Sequence, residues 1–234
     1  MFRRKKATDD QGNPAPAGES ASGPPGGPDG DRVEDEDAQD PRARGPWDAA
    51  EVRLDDPDTP RLDLGSLLVT PREGLEVQLQ VDEPTGQVVA VVVAAADGAV
   101  ELRAFAAPRN GDIWEGVRRA VAGEVAQMGG TATEVDGPYG TELQVFLTVD
   151  VGDGQLASQP SRVVGVSGPR WLLRATMFGR PAVQPDPEGD IEQALRDVVV
   201  VRGGSPVPPG DALPLTLPPD VVPDEGGPGL DQDG

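Results

Sequence analysis

Proline and glycine decide where this chain can fold. Gly (31) and Pro (26) together make up about a quarter of its 234 residues, near the level of low-complexity sequence. They crowd before Pro60 and after Gly203. Proline lacks a ladder N–H and glycine loses the most entropy on ordering, so folding is left to the middle. Residues 1–44, an acidic Gly/Pro-rich tail, and the acidic residues 221–234 show almost no apolar periodicity and read as disordered. Residues 45–61 read as a linker. Its "GPWDAAEV" holds Trp47 as an anchor for the chain's own domain, as an anchor for a partner, or as an unburied ring.

Residues 62–202 read as one α+β domain, a mostly antiparallel sheet with two amphipathic helices packed on it. "LEVQLQVD" alternates Leu75, Val77, Leu79 and Val81 against Glu76, Gln78 and Gln80, the period of a half-buried strand. "QVVAVVVAAADGAVELRAFAAP" predicts a hairpin turning at Asp97-Gly98, and its Val88–Val93 run predicts a central strand covered on both faces. Helical spacing follows, with Ile113, Trp114, Val117, Val121, Val125 and Met128 on one side. Asp112 and Glu115 resemble a capping box, and Gly129-Gly130 stops the helix. Four more strands precede a second helix from Asp190, which turns Ile191, Ala194, Leu195 and Val198 inward before "VVVVRGG" runs extended. Residues 203–220 are a Pro/Leu-rich strap, barred by proline from ladders, that lays Leu213, Leu215 and Leu217 across the core.

The inventory excludes much chemistry. The chain has no His and no Cys, and its only lysines are Lys5 and Lys6. A Ser-His-Asp triad, a Cys-His pair, a Schiff-base lysine and a P-loop lysine are therefore ruled out of the domain. Zinc would be held by carboxylates alone, an unfavourable set. Asp150, Asp153 and Gly154 miss the EF-hand spacing and read as a hairpin turn, and Gly137-Pro138-Tyr139-Gly140 reads as a turn capped by its ring. Carboxylate chemistry survives, with Glu101 the one acid in an apolar run; its plainer reading is a pair with Arg103. No cofactor or metal is expected. A net charge of −21 disfavours phosphate backbones. Neither an apolar run long enough to span a membrane nor a leader is legible, so a cytoplasmic address is the default.

The candidate partner-binding residues are Arg170, Leu172, Arg174, Phe178 and Trp47. In "GPRWLLRATMFG" a strand puts Trp171, Leu173, Ala175 and Met177 on the core side and Arg170, Leu172, Arg174, Thr176 and Phe178 on the other. That second face either receives an acidic or aromatic group or pairs with neighbouring acids such as Glu142. The acidic run "EDEDAQD" is a possible competitor for it.

In order, "GPWD", "RLDLGSL", "LRAFAAPR", "IWEGVRR", "GPYGTEL", "GPRWLLRATMFG" and "LRDVVVVRGGSPVPPGDALPLTLP" resemble the actinobacterial domain of unknown function 3710 family over about Gly45 to Pro218. The resemblance implies a bacterial cytoplasmic protein and brings no catalytic residue or ligand. The expected function is a non-catalytic interaction or adaptor protein with a protein partner. The alternatives are a carboxylate-dependent hydrolase, marked by two converging acids near an Arg, and weak nucleic-acid binding through Arg170 and Arg174.

Overall fold

The computed structural model describes residues 42–150, 152 and 154–218. Apart from Arg42, Ala43 and Arg44, the tails read as disordered lie outside the described residues. Seven strands build the main sheet: β4 (Glu76–Asp82), β5 (Gln87–Ala95), β6 (Gly98–Ala106), β7 (Thr131–Gly137), β8 (Gly140–Asp150), β9 (Leu156–Gly168) and β10 (Trp171–Gly179). Their order is β4-β5-β6-β10-β9-β8-β7, antiparallel throughout. A small second sheet joins β1 (Trp47–Asp48), β2 (Leu62–Asp63), β3 (Leu67–Val69) and β11 (Val199–Val200) in the order β1-β11-β3-β2. Only β1 with β11 is parallel among these pairings.

The α+β class holds, but among the described residues three helices accompany the sheets: α1 (Trp114–Gln127), α2 (Arg180–Val183) and α3 (Asp190–Arg196). Asp112 Oδ1 accepts the Trp114 N–H at 2.9 Å and starts α1, while Glu115 pairs with Arg119 instead of closing a capping box. At the other end Gly129 has φ 77°, and its N–H and that of Gly130 reach back to the carbonyls of Ala126 and Val125. This double closure is the Schellman arrangement. It leaves Met128 outside the helix and 62% exposed, so only Trp114 and Val125 of the expected apolar face are fully buried.

Three further details differ from the sequence reading. The register Ala95↔Gly98 makes Ala96-Asp97 the hairpin loop. Gly98 is required for closeness instead, because a Cβ there would lie 2.4 Å from the Phe178 carbonyl oxygen and 2.5 Å from Pro181 Cδ. A register shift between Gln80 and Val81 breaks the alternation of β4 and turns Val81 outward. The central strand is β10, fourth of seven, while β5 lies next to an edge.

The main sheet carries a core on each face. On one side Trp171, Leu173, Ala175 and Met177 of β10 pack with Val100, Leu102, Ala104 and Ala106 of β6 beneath α3 and the small sheet. On the other, Leu172, Leu143, Val145 and Val163 pack under Trp114 and Val125 of α1. Helix α1 sits on β7, β8 and β9, so among the described residues no helix covers the same face over β4, β5 and β6. The strap makes backbone bonds despite its prolines: Leu213 N–H donates to the Ala104 carbonyl at 2.8 Å, and Ala106 N–H to that of Asp211 at 2.9 Å. β5 stops pairing with β6 at Val91↔Leu102, and the strap takes over the edge beyond. Thr216 N–H reaches the Leu64 carbonyl, which ties the strap to the small sheet as well.

Candidate functional site

The expected partner face is divided by the fold. Arg170 sits in the β9–β10 turn at φ 64° and is exposed, one position before the strand begins. Leu172 is 0% exposed beneath α1, so it cannot touch a partner. Arg174 and Phe178 are half-buried on the α1 side of β10. The ion-pair partner of Arg174 is Glu101 at 3.6 Å, not Glu142, and its guanidinium lies 5.6 Å from the Phe105 ring centroid. Glu101 Oε1 also accepts from Arg103 Nε at 2.9 Å. Two guanidiniums thus share one carboxylate, and burial followed by the Arg103 charge pushes the Arg174 guanidinium below its ordinary value. Trp47 is half-buried in β1, where its N–H donates to the Val198 carbonyl at 2.9 Å. The neighbouring Asp48 Oδ2 accepts the Trp171 indole N–H at 2.7 Å, and Arg42 lies over that ring.

A different group of charges is far more deeply placed. Arg162, Glu142, Glu192 and Tyr139 are each 4% exposed or less. Arg162 on β9, between Ser161 and Val163, follows strand alternation onto the same face as Val164 and Val166, under α3. Its Nη2 donates to Glu192 Oε1 of α3, and its Nε stands 3.8 Å from Glu142 Oε2. Tyr139 OH donates to Glu192 Oε2 at 2.8 Å, and its backbone N–H to Glu142 Oε1 at 3.0 Å. Gly137 makes room, since a Cβ there would fall 2.3 Å from the Glu142 carboxyl carbon. Burial pushes the Glu142 carboxyl up, against the Tyr139 N–H and Arg162, and burial with the Glu192 charge raises the Tyr139 phenol. Among the described residues, Nε and Nη1 of Arg162 have no hydrogen-bond partner.

Two cavities flank this cluster. One of about 190 Å³ is bordered by Glu192 together with Asp97, Arg180, Asp186 and Asp190. The other, about 320 Å³, is bordered by Tyr139 together with Arg42, Asp112, Trp114, Arg118 and Ser167. Tyr139 thus borders one hollow and its hydrogen-bond partner Glu192 the other. Among the described residues, no three acidic side chains are grouped to hold a metal ion.

Residues 45–224 match the family described as "Protein of unknown function (DUF3710)". The chain belongs to that family. The match runs from the Gly45 turn through the strap, so in DUF3710 the Trp47 segment and the Pro/Leu segment fall within the family's span. No curated protein matched the chain. Among solved structures, the solution structure of cyanobacterial PsbP (CyanoP) from Synechocystis sp. PCC 6803 is similar over 64% of this chain and 96% of that one. Its TM-score of 0.34 and 11% identity carry no argument.

Chemically, the DUF3710 cluster is a clamp joining β8, β9 and α3. Two carboxylates converge on one guanidinium out of reach of water, a geometry that is costly unless every group is paired. Sequence reasoning named Tyr139 as a turn and as one of the groups still able to do chemistry, and Glu142 as a strand neighbour of Arg170 and Arg174. The signal was a charge, Arg162, in phase with apolar Val164 and Val166.

Proposed function

We propose that this domain is a non-catalytic, cytoplasmic interaction protein that holds a protein partner against the part of the main sheet's face left open by α1. The observation that carries this reading is the Arg103–Glu101–Arg174 group beside Phe178. One carboxylate accepts from Arg103 and stands 3.6 Å from Arg174, with Glu124 of α1 acting on Arg174 only through space, so the two guanidiniums keep donors for an acid on a chain of net charge −21. An acidic side chain flanked by apolar groups suits that surface, the acid meeting the arginines and the apolar groups meeting Phe178. The lack of cysteine supports the cytoplasmic reading.

The test is capture from the native host by the full chain and by Arg103→Glu and Phe178→Ala variants whose thermal unfolding matches the parent. Loss of one partner from both variants supports the reading, and equal capture by all three overturns it. Oligonucleotide binding that weakens steeply with salt would favour nucleic acid instead.

A second reading, the carboxylate-dependent hydrolase, draws on the convergence of Glu142 and Glu192 on Arg162 and on the cavity that Glu192 borders. Against it stands the burial of both acids. Ester or glycoside turnover abolished by Glu192→Gln would establish it.

A further inference from the structure

The cavity of about 320 Å³ that Tyr139 borders lies toward the end of β10 opposite Phe178. Its wall carries two cations and one anion: Arg42, Arg118 and Asp112. Arg42 is engaged by Glu51 through both terminal nitrogens. Arg118 is different. Its side chain is only 13% exposed, and Glu134 takes its Nε at 3.0 Å. Neither of its Nη groups has a protein acceptor among the described residues. Asp112 is also half used, since Oδ1 accepts both the Trp114 N–H and the Ser167 hydroxyl, at 2.9 and 2.7 Å. Oδ2 is left to a ligand. Counting Glu51 and Glu134 behind the wall, the surroundings do not favour a simple anion.

We infer that this cavity binds a small zwitterion of the free α-amino acid class. The Arg118 Nη pair takes the carboxylate as a two-pronged donor, and Asp112 Oδ2 accepts from the ammonium. The volume holds about ten water-sized groups, enough for a backbone and a modest side chain. The Trp114 ring is already covered: Arg118 lies 5.6 Å from its centroid, and it rests so closely on Gly165 that a Cβ there would sit 2.2 Å from the ring. With both ring faces covered, a ligand side chain cannot stack there, which favours an aliphatic residue over an aromatic one.

Calorimetric titration of the full chain with L-leucine, 4-methylpentanoate and L-leucinamide tests this. Leucine binds, and each analogue, lacking one charged group, binds more than about tenfold more weakly. Arg118→Gln removes the preference for leucine over leucinamide, and Asp112→Asn, which keeps the helix cap, removes the preference over 4-methylpentanoate. Absence of binding by leucine and by every other proteinogenic amino acid at millimolar concentration overturns the inference. So does equal binding of the three probes. These ligand comparisons need no variant to fold, and they are independent of partner capture at the open face.

Discussion

Arg162 is the residue on which the α3-side core is most exposed to error. Removing one member of a buried ion pair leaves the other charge uncompensated, which costs about 3–5 kcal/mol. Glu192→Ala should therefore lower unfolding free energy by that order in urea titrations, and should lose more than Glu192→Gln, which can still accept from Tyr139. Glu142 behaves oppositely. Its carboxyl is raised above the ordinary 4.5 chiefly by burial, so the native state binds its proton more tightly than the unfolded chain. Stability from this group is then present at low pH and falls as pH rises through and beyond 4.5. Glu142→Gln should be more stable than the parent at pH 7, and the difference should vanish toward pH 4; urea midpoints across that range check it. At this scale the sequence was only partly legible. The Glu101–Arg103 pair follows directly from strand spacing, whereas the partner of Arg162 lies on α3, thirty positions away, where no local pattern points.

Elements were more legible where a local rule sets them. Period-two runs and glycine stops located the strands of the main sheet and the end of α1, because backbone pairing and helix termination are decided by near neighbours. What failed depended on distant contacts: the loop at Ala96-Asp97 follows from the approach of Phe178 and Pro181 to Gly98, and the covering of Leu172 from the seat of α1. Gly165 is the position that tests that seat. A Cβ there would enter the Trp114 ring, so Gly165→Ala should displace α1 and cost about 1–3 kcal/mol by thermal unfolding. Gly116→Ala, with nothing within 4 Å of its Cβ, should stabilise slightly. The strap extends the same lesson. Its prolines argue against ladders, yet Leu213 N–H pairs with Ala104 and its side chain is 3% exposed. A chain ending at Gly204 should lose roughly 3 kcal/mol or more, from one buried leucine and several backbone bonds, visible as a lower urea midpoint.

Across the whole molecule, one seven-stranded sheet carries a core on each face, with a charge clamp inside the α3-side core and part of the other face uncovered among the described residues. Sequence periodicity foresaw the α+β class, since strand and helix spacing are set by near neighbours. It did not foresee that Glu142 and Glu192 would converge on Arg162 inside the α3-side core. On the function proposed above, this cluster holds the structure together and performs no reaction. Replacing it as a unit by Arg162→Met, Glu192→Met, Tyr139→Phe and Glu142→Gln removes every buried charge at once, which should restore stability to within about 1–2 kcal/mol of the parent. The decisive measurement is unfolding free energy and partner capture of this fourfold variant beside Glu192→Ala. The account predicts a variant that folds well and still captures the partner; a well-folded variant that has lost capture, or a parental turnover that the variant lacks, would contradict it.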